Sequence, residues 1–488
     1  MADVQTAFIL IPLLLPALTA LLNMASGRSP NLRESFSVLG AAATFVATLS
    51  LLPHVAAGGT YSLTLFELLP GAAVKLRVDG MSLLFALTSS FLWILAGFYC
   101  VGYMRGLEEH AQTRFYVCYS ATIFSAVGVA FSGSLLSLYL FYELVSIFTY
   151  PLVMHHQDAA AYDGSRKYIS YLMVTSKLLL LPALVLTYVT TGNLDFAAHT
   201  TAGIFPATAS RALVATIYFF SLFGYAKAAL MPLHNWLPSA MVAPTPVSAL
   251  LHAVAVVKVG VFSICRVMLY VFGIDFLQSS GAGLVTAYLA AFTILTGSVI
   301  ALTKDNLKAR LAYSTISQLS YIVLGVALLT PAGITGGLLH IPNHAFSKIT
   351  LFFAAGAIMV AHKKTEISDM EGIGIQMPFT MAAFSLASLS MIGIPPVAGF
   401  VSKWYLATGA MQLKSVGILV VLLASSILNA GYFAPIIYKA FFPKNGSGGL
   451  LRAEASPFMV VPLFLTSVLS VLFGLFPDLF LQLIKVVK

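Results

Sequence analysis

Charge is scarce in this chain. Asp, Glu, Lys and Arg make up 9% of its 488 residues, 59% are hydrophobic, and mean hydropathy is +0.93. That excludes an ordinary soluble globular domain, in which about a quarter of residues are charged. Cysteine is nearly missing as well. Cys100, Cys118 and Cys265 stand singly, with no Cys-x-x-Cys pattern, so neither an iron–sulfur cluster nor structural zinc is expected, and no cofactor or metal is assigned to the chain. The formal charge of +9 is spread through short connections and apolar runs, without a basic arm or an aromatic-interleaved patch. Nucleic acid is thereby excluded as a partner. A separate soluble domain is missing too, because the longest connection, about 53–80, has room only for a small cap.

What the chain has is apolar runs, expected at 6–24, 35–52, 81–104, 114–132, 134–155, 166–190, 209–230, 244–273, 282–303, 309–329, 333–361, 378–411, 415–441 and 457–484. Most can cross a hydrocarbon core of about 30 Å as helices, which takes about 20 residues each. The fold expected is all-α: a polytopic protein of about 14 transmembrane helices, one integral membrane domain over 1–488, with the lipid bilayer as its solvent. Only Asp3 precedes the first run as a charge, and no basic start is present, so that run is expected to be a retained helix rather than a signal peptide. In the 53–80 connection, Tyr61 to Leu65 and Val74 to Val78 alternate around Pro70-Gly71, which predicts a β-hairpin-like cap.

Cations set the expected orientation. The connections after odd-numbered runs hold Arg28, Arg33, Arg105, Arg114, Arg166, Lys167, Lys304, Lys308, Arg310, Lys363, Lys364, Lys439, Lys444 and Arg452, whereas those after even-numbered runs hold only Lys75, Arg77, Arg211 and Lys414. By the positive-inside rule the first set is cytoplasmic, and both termini lie on the extracytoplasmic side of a bacterial-type inner membrane.

Apart from Asp478 towards the end of the last run, and from the cations counted above with the connections, the runs hold one carboxylate, Glu143, and six cations: Lys177, Lys227, Lys258, Arg266, Lys348 and Lys403. Charge at bilayer depth is expensive and faces protein or a watery cavity, so a path for ions or protons is expected. Two runs also carry breaks. Lys227 precedes Pro232 in the seventh, and Lys403 follows Pro395 and Pro396 in the twelfth. Prolines merely kink many membrane helices. A lysine beside the break in both halves instead points to a transporter whose ion sites flank interrupted helices. His340, His344 and Lys348 recur every four residues and share one helix face, as a hydrated proton route or as hydrogen-bonded helix glue. Without an intramembrane carboxylate or thiolate beside them they make a weak metal site. His252 and Lys258, six residues apart, point in different directions. Buried lysine and histidine both have uncharged forms, which suits a proton relay; Glu143 could switch Lys227 if their runs meet. Arg266, near a run's end, is expected to snorkel or to contact phosphate.

These residues resemble the antiporter-like membrane subunits shared by Mrp-type cation/proton antiporters, respiratory complex I and membrane-bound hydrogenases. The resemblance rests on Phe141-Tyr142-Glu143-Leu144, on Lys227 followed by Pro232-Leu233-His234-Asn235-Trp236-Leu237-Pro238 and Ala243-Pro244-Thr245-Pro246, on Asp305 to Gln318, on His340, His344 and Lys348, and on Gly393 to Lys403. It implies two inverted five-helix repeats, 114–273 and 282–441, with helices 7 and 12 broken. It further implies Glu143 and Lys227 as a coupling ion pair, Lys258 as central relay and Lys403 as outlet relay, with His252, His340, His344 and Lys348 lining the route. Ser239 and Met241 stand where many relatives carry an acidic residue and a histidine, so contacts at the cytoplasmic mouth are expected to differ.

Lys403 argues against the complex I subunit that usually carries glutamate there, and the chain ends without the long lateral helix of the distal complex I subunit. The stretch Tyr432 to Phe442 is most similar to the D-type subunit of Mrp assemblies. The expectation is therefore a proton-translocating subunit of an Mrp-type Na+/H+ antiporter-like complex, partnered by other membrane subunits, with protons and, as an open question, Na+ as cargo. It would have no catalytic residue of its own. The alternative is the pump module of a redox-driven complex such as an NADH-quinone oxidoreductase or membrane-bound hydrogenase; a closed scaffold is disfavoured by the retained charges.

Overall fold

Ten helices in the computed structural model, which describes residues 3–443 and 452–487, are long and apolar enough to cross a membrane. Lys444, counted above for orientation, lies outside the described residues, as do both ends of the 1–488 domain. Two of the ten form the centre. Every residue of Thr245–Phe272 is buried, and Pro331–His362 is buried from Gly336 to Ile358. Helices Ala282–Leu302 and Val416–Phe441 lie at the periphery and expose Val285, Tyr288, Phe292 and Val299, and Val416, Val420, Leu423 and Ile427. Exposed apolar stripes at helical spacing would be costly in water, and here they make the lipid-facing surface. Helices Gln112–Ala130 and Leu307–Ala327 carry more polar residues and pack in the same bundle.

Two shorter helices end beside Lys227 and ahead of Lys403. Helix Arg211–Gly224 ends in a single 3-10 turn, Ala226–Ala228, closed by Ala229 in the left-handed conformation. Helix Pro378–Ile392 ends at Gly393, whose φ of +91° suits glycine, and the chain resumes as Ala398–Gln412. Glycine also permits one close approach. A Cβ at Gly260 would overlap the Ala228 nitrogen and the Lys227 carbonyl carbon, so the broken segment rests directly on the central helix. Three further irregularities escaped the sequence: π-helical turns at Ser176–Leu180, Leu250–Val254 and Met268–Phe272, of which the first two carry Lys177 and His252.

The expected hairpin is present as β2, Thr60–Leu69, paired antiparallel with β3, Ala72–Val78. A short strand β1, Asp3–Gln5, adds to it in parallel, and the Asp3 carboxylate accepts from the Thr60 and Ser62 hydroxyls. This cap marks one end of the bundle. There Lys75 pairs with Asp195 and Arg77 bonds the Ala197 carbonyl, while Gly80 abuts the C-terminal helix Asp478–Lys485. At the other end Arg105 pairs with Glu34, Arg114 bonds the His155 carbonyl, Lys308 bonds the Ala243 carbonyl and Asn306 bonds Glu366. Connections after odd runs and after even runs thus gather at opposite ends, and the first strand and last helix both lie at the cap end.

Arg266 corrects the expectation of a snorkelling side chain. It is 1% exposed, and its guanidinium grips Asp79 with both Nη atoms, at 2.6 and 2.9 Å, while also donating to Ser82. Asp79 caps helix Gly80–Gly106 by accepting from the Ser82 amide. The sequence placed Asp79 in a connection, outside any run, and so left Arg266 without a partner. Asp79→Asn should destabilise the protein by about 3–5 kcal/mol, because it strands a buried guanidinium. Thermal unfolding of the purified protein in detergent should show a drop of several degrees; an unchanged midpoint would mean the pair contributes no net stability.

Candidate functional site

The buried polar residues fall in three groups along the bundle. In the first, Glu143 accepts from Lys177 Nζ at 2.7 Å, and Lys177 also donates to the Tyr139 hydroxyl at 2.8 Å. Tyr139 and Glu143 lie one turn apart on helix Leu135–Val153, and the π turn at Ser176–Leu180 brings Lys177 to them. This corrects the expected Glu143–Lys227 ion pair: the carboxylate is taken by Lys177. Lys227 instead donates to the Tyr142 carbonyl at 2.8 Å and sits 3.2 Å from the centre of the Tyr142 ring. It stands in the 3-10 turn after helix Arg211–Gly224, and the Ala226 carbonyl of that turn accepts both from the Ala229 amide and from Trp236 Nε1. The second carboxylate oxygen of Glu143 is buried without a hydrogen-bond partner.

The second group is central. Lys258 Nζ lies 2.6 Å from His344 Nδ1. His344 Nε2 and both ring nitrogens of His252 have no hydrogen-bond partner although the rings are buried, and His252 packs on Phe352 at 4.6 Å. Lys348 donates to the Ser314 hydroxyl. Lys258, His340 and His344 do not form a metal set, since one His344 nitrogen faces an ammonium and His340 is bonded at both of its own.

The third group is continuous. His340 Nδ1 meets Ser402 Oγ at 2.8 Å and its Nε2 meets Gln318 Oε1 at 2.9 Å. Gln318 Nε2 donates to the Met391 carbonyl, which also accepts from Lys403 Nζ at 2.8 Å and from Asn429 Nδ2 at 3.0 Å. Lys403 adds a bond to the Ile392 carbonyl at 2.9 Å. Helix Pro378–Ile392 stops at Gly393, so its last carbonyls have no intrahelical donor, and the lysine satisfies them. His340 and His344 are one turn apart with ring centres at 5.9 Å, which joins the central and third groups. Among the described residues no hydrogen bond links Lys227 to Lys258.

Of the four residues expected as relays, Glu143, Lys227 and Lys258 are buried and Lys403 is half-buried, and all four expected to line the route are buried. Pro232, Pro395 and Pro396 stand in the irregular segments after the two interrupted helices. Sequence reasoning met Tyr142, Ser314, Gln318 and Ser402 inside motifs but gave them no role, and passed over Tyr139 and Asn429. Their signal was a polar side chain or a tyrosine beside a charged residue in an apolar run, which becomes specific only when the packing partner is known.

Known proteins share this arrangement of chain. The sequence profile of the NADH:quinone oxidoreductase/Mrp antiporter transmembrane family matches residues 132–429. NADH-quinone oxidoreductase subunit N of Desulforudis audaxviator is 32% identical over 434 residues, covering 84% of this chain and 83% of the relative. The D-type subunit of the Na(+)/H(+) antiporter of Bacillus subtilis is 27% identical over 471 residues, covering 96% and 94%. Hydrogenase-4 component B of Escherichia coli is 31% identical, but the match spans 73% of this chain and only 54% of that protein. In fold, the chain superposes on a chain of the Mrp complex from Dietzia sp. with a TM-score of 0.86 at 23% identity, covering 99% and 96%. A chain of the archaeal membrane-bound sulfane sulfur reductase gives 0.87 at 24%, covering 98% and 96%. This multi-pass membrane protein, with its buried lysines and histidines, belongs to the NADH:quinone oxidoreductase/Mrp antiporter family.

Proposed function

We propose that this chain is the proton-translocating subunit of a multisubunit Mrp-type Na+/H+ antiporter-like complex, moving protons along Glu143, Lys177, Lys227, Lys258, His344, His340 and Lys403, with His252 and Lys348 lining the route. The observation that carries this is the hydrogen-bonded string from Lys403 through Met391 and Gln318 to His340, one helical turn from the Lys258–His344 pair. Each member except the connecting carbonyl and amide can hold or release a proton, which a structural strut would not need. The fold proposed for it is the family's fourteen-helix arrangement with inverted repeats at 114–273 and 282–441. The interruptions after Gly224 and Ile392, each beside a lysine, support that pairing.

Lys177 supports a membrane partner. Its side chain is 46% exposed while bonded to Glu143, and a cation at membrane depth calls for covering protein. A neighbouring subunit seated there would bury the pair and sense its state. The redox-driven alternative is favoured by the 32% identity to an NADH-quinone oxidoreductase subunit. Copurification separates the two: small hydrophobic antiporter subunits support the first, and proteins bearing flavin, iron–sulfur or nickel–iron centres would replace it with the second.

The proposed orientation puts the end bearing Arg105, Arg114 and Lys308 in the cytoplasm of a bacterial-type cell, and both termini outside. Cysteines placed in connections 155–167 and 361–377 should resist an impermeant thiol reagent added to intact cells and react once the membrane is opened. Labelling of both from outside would reverse the orientation.

A further inference from the structure

Outside the membrane route, at the end carrying the odd-numbered connections, four potential metal ligands converge from two loops. Glu109 and His110 lie between helices Gly80–Gly106 and Gln112–Ala130, and His155 and His156 follow helix Leu135–Val153. The Glu109 carboxylate turns one oxygen to each of the paired histidines, at 3.6 Å from His155 Nε2 and 3.3 Å from His156 Nε2. The His110 and His155 rings are 4.8 Å apart between centres, and ligand atoms of Glu109, His110 and His155 all lie within 4.8 Å of one another. A tetrahedral zinc with bonds of about 2.0–2.1 Å holds its ligand atoms about 3.3 Å apart, so little movement is needed.

His155 is the independent sign that something belongs there. It is fully buried, and neither ring nitrogen has a hydrogen-bond partner. A buried imidazole left in that state forgoes stabilisation unless a ligand completes it. Its backbone is fixed, since Arg114 donates to its carbonyl at 2.9 Å, and Phe115 packs edge-on against its ring. The Glu109 carboxylate lies between the two imidazoles, placed to share a cation with them. His110 is exposed and gives entry from the water.

We propose that Glu109, His110, His155 and His156 form a binding site for a divalent first-row transition metal, with zinc the best match to three imidazoles and a carboxylate. The expectation of no metal weighed the lone cysteines and the intramembrane histidines; these four residues lie in connections and are brought together only by folding. Bound metal would clamp the 106–112 connection to 153–159, fixing the ends of three helices that pack side by side.

The test uses the full chain in detergent, stripped of metal and freed of any purification tag, with Co2+ as probe. One equivalent should give the intense visible absorption of four-coordinate cobalt, and Zn2+ should displace it. His110→Ala, at an exposed ring, and Glu109→Gln should each weaken binding at least about 10-fold, because even residues that only support ligands are worth that much. His156→Ala should act alike, and a thermal midpoint measured without metal confirms that each variant is folded. A spectrum of six-coordinate aquated cobalt, or equal affinity in the wild type and in the His110→Ala and His156→Ala variants, would overturn the site.

Discussion

Lys403→Ala should slow proton flux through the assembled complex by about a hundredfold or more, the scale on which a positioned acid–base group contributes. The structure gives Lys403 two jobs that must be separated: it holds the Met391 and Ile392 carbonyls at the end of an interrupted helix, and it ends the hydrogen-bonded string to His340. Lys403→Arg separates them. A guanidinium can bond the same carbonyls, so the helix end stays satisfied, but it does not give up its proton in a protein. Flux should therefore fail in the arginine variant although assembly and stability persist. Lys403→Glu should retain some activity, since a carboxyl can exchange protons. Flux is measured in vesicles containing the complete complex, with subunit content checked for each variant. Near-normal flux with arginine would make Lys403 a fixed strut and end its assignment as a relay.

Glu143→Gln should also strongly reduce flux, and the structure changes the partner through which this acts. The carboxylate holds Lys177, not Lys227. If the two residues work as one switch, Glu143→Gln and Lys177→Ala should each lower flux, and the double variant should be no slower than the worse single one. Independent groups would instead multiply their losses. A multiplicative double variant, or unchanged flux in Glu143→Gln at neutral pH, would remove the pair from the mechanism. The comparison also separates a salt bridge that only staples two helices, whose loss would appear as poorer assembly rather than slower flux.

The sequence disclosed what depends on near neighbours along the chain. Hydropathy located the long apolar helices, and the four-residue spacing put His340, His344 and Lys348 on one buried face. It was silent where partners come from far away. Asp79 and Arg266 are 187 residues apart, and nothing local marks them as a pair. Lys177 lacked a role because the π turn that aims it at Glu143 has no distinctive composition. The resemblance implied Glu143 paired with Lys227, whereas in the fold its carboxylate bonds Lys177. Gln318 was visible at the end of a motif, yet its bridging position between His340 and the Met391 carbonyl needed three helices to be placed at once.

The contact at Gly260 limits how the molecule can move. The Lys227 backbone lies against that glycine with no room for even a methyl group, and Lys258 stands two residues earlier on the same central helix. The two lysines are therefore mounted on one chassis. Sliding or tilting the Lys227 segment relative to the central helix would drive backbone into backbone, which holds the two attachment points at a nearly constant distance. If protons pass between them, as proposed above, the movement comes from lysine side chains swinging on their four-carbon stems. On that reading the frame stays at rest while its side chains move.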